Sequence, residues 1–185
     1  MRLADEITIE FEHEVIRLRA SLRAAFRLER QHGGFDKIIH AIAGGSLSVM
    51  ANVVCESSTT TLRGFLDCVG TLPLRDAIAR LVEPLSAHVL ALAGVDADSS
   101  NAKPGAQRIP FSEYFPTLFR LATGWCGMSP SEAWAATPAE ITEAYKGRRE
   151  LLGAMFGGGK ATDDPDDAES RRELNAIGDL TNFNL

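Results

Sequence analysis

The chain has 185 residues, of which 45% are hydrophobic and 24% charged, as is usual for a soluble globular protein. Its formal net charge of −6 argues against a general attraction to nucleic acid or to anionic lipid. Early acidic residues and the lack of a run of about 18 apolar residues predict neither a secretory leader nor a membrane span. Cys55, Cys68 and Cys126 are widely spaced and form no C-x-x-C motif, so we expect reduced thiols in a cytoplasmic protein.

Residues 7–20 alternate between apolar and polar side chains on two arms, which are joined by Glu-His-Glu at 12–14. A period of two predicts an antiparallel β-hairpin. A lone hairpin is marginal in water, so its apolar face is expected to lie on the helices that follow. The residues expected on that face are Ile7, Ile9, Phe11, Ile16, Leu18 and Ala20.

From Ser21 the apolar spacing changes to three and four, which predicts five helices up to Gly94. Glycine pairs at 33–34 and 44–45 and the Ser/Thr run at 57–61 separate the first four. Pro84 is expected to kink or split the fifth, because its ring clashes with the preceding turn. The apolar residues expected to face inward are Leu22, Ala25, Phe26, Phe35, Ile38, Ile39, Ile42, Leu47, Met50, Val53, Val54, Leu62, Phe65, Leu66, Val69, Leu74, Ile78, Leu81, Leu85, Val89 and Leu92.

Residues 95–109 have almost nothing to bury, which predicts a flexible linker and a domain boundary. Beyond it, Ser129 with Glu132 and Thr137 with Glu140 each form a capping-box pattern with proline at the first helical position. They predict a short helix from Pro130 to Ala136 and a long one from Pro138. A helix before them carries Tyr114, Phe115, Leu118, Phe119, Ala122 and Trp125, and the long helix an apolar stripe of Ile141, Ala144, Tyr145, Leu151, Leu152 and Met155, with Arg148 on the same side.

Residues 157–185 carry seven acidic and three basic side chains, a net charge of −4, which predicts a disordered acidic tail with a weak helical patch at 171–177. The predicted fold is therefore mainly helical, of the α+β class. Residues 1–94 form a hairpin on a compact helical domain, 95–109 a linker, 110–156 a small helical module, and 157–185 the acidic tail.

No pattern in the sequence predicts catalysis, a metal site or a cofactor. The Gly-Gly-Gly-Lys run at 157–160 lacks the first glycine and the Ser or Thr of a phosphate loop, and Ser46 is not in a nucleophile elbow. The four histidines have no second ligand at helical spacing, which favours surface or partly buried structural positions for His13, His32, His40 and His88. We therefore expect a protein that is not an enzyme.

Two groups of side chains could contact partners. Arg23, Arg27 and Arg30 share one helical face, with Arg17 and Arg19 nearby, and a solvated face is favoured there over a nucleic-acid site. Aromatic and apolar residues of the second module are either core or anchors for a partner, namely Phe119, Trp125, Trp134, Ile141 and Tyr145. Trp134 is the best candidate for exposure, because a short helix offers little to cover an indole.

Both halves of the chain resemble tail assembly chaperones of long-tailed phages and gene transfer agents. The hairpin, AAFRLER at 24–30 and FDKIIHAIAGG at 35–45 are similar to that family's N-terminal domain. FRLATGWCGMSPSEAWAATPAEITEAY at 119–145 looks like its C-terminal extension, whose pattern is G-x-S-P-x-E-[FA]-W followed by T-P-x-E. The resemblance covers residues 5–156, and the acidic tail departs from it.

The resemblance implies a non-enzymatic helper in virion morphogenesis, acting in the host cytoplasm and absent from the finished particle. Its N-terminal domain would coat the tape measure protein and its extension would recruit tail tube subunits, with self-association left open. In many relatives a ribosomal frameshift produces the long form, and a slippery site near Gly159 and Lys160 is testable in the gene. The alternatives are a structural tail or connector component of the virion, or a small regulatory or nucleic-acid-binding helical protein.

Overall fold

The hairpin expected near the start of the chain is present in the computed structural model, which describes residues 6–11, 14–94 and 110–156. Strand β1 (Ile7–Glu10) pairs antiparallel with β2 (Val15–Leu18), and Ile9 lies opposite Ile16. Ile9, Ile16 and Leu18 are buried, so the apolar face does lie against the helices. The alternation of apolar and polar residues predicted the buried face correctly, except that Ile7 is only half-buried.

Five helices follow the hairpin, as the apolar spacing predicts. They are α1 (Leu22–His32), α2 (Phe35–Ala43), α3 (Leu47–Ser57), α4 (Leu62–Val69) and α5 (Leu74–Leu92). The Ser21 side chain accepts a hydrogen bond from the N–H of Ala24, and the Thr61 side chain accepts one from the N–H of Gly64, so each caps the helix that it precedes. Gly33 ends α1 in the left-handed conformation, with φ of 69°, which glycine adopts without steric cost.

Pro84 was expected to kink or split the fifth helix, and the structure shows that it does not split it. Pro84 lies inside α5, which is one element from Leu74 to Leu92. Leu62, Leu66 and Leu74, which were expected to face inward, are exposed. These leucines lie at the starts of α4 and α5 or on the outer side of α4, where the described residues place no neighbouring helix over them. Ser46 makes no cap hydrogen bond with α3, and its Oγ lies 3.2 Å from that of Ser48.

The second region contains three α-helices and one π-helical turn. Helix α6 (Phe111–Arg120) continues into the π-turn Leu121–Trp125, in which the N–H of Cys126 donates to the Leu121 carbonyl at 3.0 Å. Then come α7 (Pro130–Ala135) and α8 (Pro138–Phe156). The sequence predicted the helices but not the wider turn, because its residues continue the same spacing of three and four.

Both capping boxes are confirmed. The N–H of Ser129 donates to the Glu132 carboxylate at 2.8 Å, and the N–H of Glu132 donates to the Ser129 hydroxyl at 3.3 Å. Hydrogen bonds to the carboxylate from the Ser129 side chain and then from its backbone N–H lower the pKa of Glu132. At the second box the N–H of Thr137 donates to Glu140 at 2.7 Å, and the N–H of Glu140 donates to Thr137 Oγ1 at 3.1 Å. The first turns of α7 and α8 are therefore satisfied by their own side chains.

Replacing Thr137 by alanine is expected to lower the free energy of unfolding by about 1 kcal/mol, because an orphan N–H of α8 loses its acceptor. The shift of the denaturation midpoint at constant slope measures this loss. Thr59→Ala is the matched control: Thr59 is exposed in a loop, so its change should stay within about 0.5 kcal/mol. Equal effects of the two substitutions would contradict a capping role for Thr137.

One core joins the two regions. The Phe35 ring of α2 lies 5.1 Å from the Phe111 ring and 5.7 Å from the Phe115 ring of α6, measured between centroids, in edge-to-face arrangements. The N–H of Leu22, at the start of α1, donates to the carbonyl of Ala136, just before α8, at 2.8 Å. The C-terminal module therefore packs on α1 and α2. The linker at 95–109 and the acidic tail with its helical patch lie outside the described residues, so the division into domains remains a prediction.

Within the part of the chain that the structure describes, no helix has both the length and the hydropathy needed to cross a bilayer.

Candidate functional site

The five candidate partner-binding residues divide into buried, half-buried and exposed positions. Ile141 and Tyr145, on the first two turns of α8, are buried. Phe119 and Trp134 are half-buried and pack against the core. Trp125 is 45% exposed. Ile141 and Tyr145 are thus core residues, and among these five positions Trp125 is the one whose aromatic ring is open to a partner.

The expectation that Trp134 is the exposed indole was wrong. The Trp134 ring stacks on the Phe119 ring, with 4.6 Å between their centroids. It also contacts the Phe26 ring, with 5.7 Å between centroids. Phe26 comes from α1 and Phe119 from α6, so two helices distant in sequence cover the short helix α7. The burial of Trp134 could not be predicted from α7 alone, because the residues that cover it belong to α1 and α6.

Trp125 occupies the last position of the π-turn. Its ring stands perpendicular to that of Tyr145 at 6.0 Å between centroids, a geometry that aromatic pairs favour. One part of the indole therefore packs against α8 while the remainder is open to solvent. An amphipathic ring held in this way is a common anchor in protein interfaces.

Helix α8 carries apolar side chains well beyond its buried part. Its last two turns expose Leu151, Met155 at 64% and Phe156 at 75%, and we call these three residues the α8 tip. The sequence predicted one apolar stripe along this helix without showing which part of it is covered. In the structure α6 and the π-turn pack against α8, and its buried residues Ile141 and Tyr145 lie on its early turns. The tip is therefore an apolar surface that extends the same helical face as the core residues.

A groove of about 600 Å³ lies between α1 and α7, and we call it the arginine groove. It is lined by Arg23, Phe26, Arg27, Arg30, Gln31 and Trp134. The sequence correctly placed three arginines on one exposed face of α1. The sequence gave no indication that the aromatic rings of Phe26 and Trp134 line the groove beside these arginines, because that arrangement requires α7 to lie on α1.

The charges of the arginine groove are only partly compensated. Arg27 pairs with Glu56 of α3 at 3.1 Å, and the Arg30 guanidinium lies 5.5 Å from the centre of the Phe26 ring. Arg23 has no ion-pair or hydrogen-bond partner among the described residues. The groove thus combines cationic side chains with aromatic faces, which suits an anionic ligand that also has apolar parts.

A second groove, of about 520 Å³, lies in the N-terminal region. Its lining includes Val49, Asn52 and Cys55 of α3 and the exposed Leu62 of α4. Leu66 lies one turn beyond Leu62 and is also exposed. Apolar side chains beside a groove can accept the apolar face of a partner helix.

The buried polar side chains of the described residues include that of His88. His88 of α5 is 1% exposed and its Nε2 has no hydrogen-bond partner among the described residues. Its expected surface or partly buried position was therefore wrong, and burial lowers the pKa of His88 to about 4. Burial and, to a smaller extent, the hydrogen bond to Glu14 raise the pKa of the Cys68 thiol to about 11. Burial also raises the pKa values of Cys55 and Cys126.

The described residues contain no group of three or more His, Cys, Asp or Glu placed to hold a metal ion. His13 lies outside them. No family model, curated protein or solved structure matches the chain. Function is therefore argued from the surfaces of the fold together with the patterns in the sequence.

Proposed function

We propose that this chain is a tail assembly chaperone that binds the tape measure protein and recruits tail tube subunits. The resemblance of residues 5–156 to that family motivates the proposal. The observation that carries it is the α8 tip, where Met155 and Phe156 expose most of their apolar surface on a formed helix. Contiguous exposed apolar side chains are typical of surfaces that bind other proteins.

Each client is assigned its own surface in this proposal. The tape measure protein, with its long apolar helices, fits the groove beside Leu62 and Leu66, because helices of that kind pack through an apolar face. The tube subunit is assigned to the α8 tip together with Trp125, since Trp125 adjoins the same helix at Tyr145. Two separate surfaces on one body let both clients be held close together, which raises the local concentration of one near the other.

Co-expression with the tape measure and tube proteins of the same tail gene cluster tests the proposal. We expect the tape measure protein to become soluble and to co-purify with this chain, with the tube protein joining the complex. Met155→Asp should weaken capture of the tube protein about tenfold, roughly the loss of one buried anchor side chain, without releasing the tape measure protein. Solubility of the two clients and their yield in pull-downs give the result.

Glu150→Gln is the control, because Glu150 is exposed on the opposite side of α8 from the tip. It should leave both clients bound. A tape measure protein that stays insoluble in the presence of this chain would refute the proposed function. Mass spectrometry of finished particles distinguishes a chaperone from a structural tail or connector subunit. The structural subunit would be present in the particles, whereas the chaperone would be absent from them.

A further inference from the structure

The arginine groove and the acidic segment at residues 157–185 have complementary charge. Asp163, Asp164, Asp166, Asp167 and Glu169 give five acidic residues within seven positions, with no basic residue among them. The groove presents Arg23, Arg27 and Arg30 on three successive turns of α1, beside the rings of Phe26 and Trp134. Opposite charge at this density favours association and disfavours binding of basic partners at the same place.

The chain is long enough to join the two. The start of α8 lies beside the start of α1, where the N–H of Leu22 donates to Ala136 and Arg19 lies 3.7 Å from the Glu140 carboxylate. The 19 residues of α8 then carry the chain at most about 28 Å away, at 1.5 Å per residue. When extended, the chain spans up to about 24 Å from Phe156 to Asp163, about 34 Å to Asp166 and about 44 Å to Glu169. The part of the acidic run from Asp166 to Glu169 can therefore return to the start of α1 even from the far end of α8.

We propose that the acidic run at 163–169 occupies the arginine groove of its own chain. Its carboxylates pair with Arg23 and Arg30 and compete with Glu56 for Arg27, while the segment covers the open edge of Trp134. An attached segment of this length has an effective concentration on the order of 1 mM, so that even weak pairing fills the groove. This proposal is independent of the proposed function and concerns the free chain.

The fluorescence of Trp134 in the full-length protein tests this occupancy. Trp125→Phe removes the other indole, so quenching by neutral acrylamide then reports on Trp134 alone. Changing the four aspartates at 163, 164, 166 and 167 to asparagine should raise the quenching constant about 1.5-fold, because the groove opens. At about 1 M salt, where the screening length is about 3 Å, the quenching constants of the parent and the asparagine variant should become equal.

A matched variant removes the same number of charges elsewhere: Asp76→Asn, Glu83→Gln, Glu113→Gln and Glu150→Gln, all at exposed positions. It should quench like the parent, and circular dichroism should show that all variants are folded. The double substitution Arg23→Glu and Arg30→Glu reverses the charge of the groove and should raise the quenching constant. In that variant, lysines at positions 163, 164, 166 and 167 should restore the quenching constant of the parent.

Equal quenching of the parent and the asparagine variant at low salt overturns the proposal. So does an equal rise in the matched control. If the asparagine variant is unchanged but an added acidic peptide such as oligo-aspartate protects Trp134, the groove serves a separate acidic partner and the assignment to the chain's own segment is wrong.

Discussion

Truncation of Phe35 to alanine is expected to lower the free energy of unfolding by about 3–5 kcal/mol, the range for removing a buried phenylalanine. Phe35 is fully buried, and its ring contacts Phe111 and Phe115 across the two regions of the chain. The substitution removes apolar area and leaves a cavity between α2 and α6, which can close only if both helices move. The loss should therefore appear in both regions together.

Chemical denaturation followed with two probes measures this effect. Circular dichroism reports on all the helices, and Trp125 and Trp134 report on the C-terminal module. The two signals should give coincident transitions in the parent and in Phe35→Ala, as expected for one cooperative unit. Phe156→Ala, at a position that is 75% exposed, should change stability by less than about 0.5 kcal/mol. Separated transitions in the parent would show two independently stable domains instead.

Acidification should destabilise the protein through His88 by up to about 3 kcal/mol, since each unit of pKa difference corresponds to about 1.4 kcal/mol. Burial lowers the pKa of His88 from the ordinary value of 6.5 to about 4. Between these values the unfolded chain binds a proton that the folded chain does not bind. Stability from this group is therefore fully present above pH 6.5 and is lost progressively down to about pH 4.

The difference between the parent and His88→Leu isolates this contribution from the carboxylates that also titrate in acid. The leucine variant should lose the part of the pH dependence between 6.5 and 4, while keeping stability near neutral pH because the Nε2 it removes has no partner among the described residues. His40→Gln, at an exposed site, should retain the parental pH profile. Parallel profiles for all three proteins would show that the pKa of His88 is the same in the folded and unfolded states.

The elements that the sequence predicted well are those fixed by neighbouring residues. The hairpin follows from alternation between Ile7 and Leu18, and the starts of α7 and α8 follow from side chains three residues apart, such as Ser129 and Glu132. The corrections to Leu62, Leu66, Leu74 and Trp134 concern whether an apolar face has a neighbour. Periodicity shows which side of a helix is apolar, but it cannot show that Leu66 remains uncovered or that α6 stops short of Met155.

The candidate surfaces were predictable to different degrees for the same reason. The arginine face of α1 follows from helical spacing, whereas the floor of the groove depends on Trp134 meeting Phe26, more than a hundred positions away in sequence. Burial of His88 likewise depends on what packs around α5. Neither local composition nor charge carries that information, because it arises from the arrangement of whole helices.

The π-turn at Leu121–Trp125 holds one more residue than an α-helical turn would, since its hydrogen bond runs from Cys126 to Leu121. Deletion of one residue there would leave a regular α-helical turn, because the wider turn is an α-helical turn with one residue added. The turn can therefore lose its extra residue without changing the path of α6 into the segment that follows. A substitution such as Gly124→Ala keeps the wider turn, since nothing lies within 4 Å of the added Cβ.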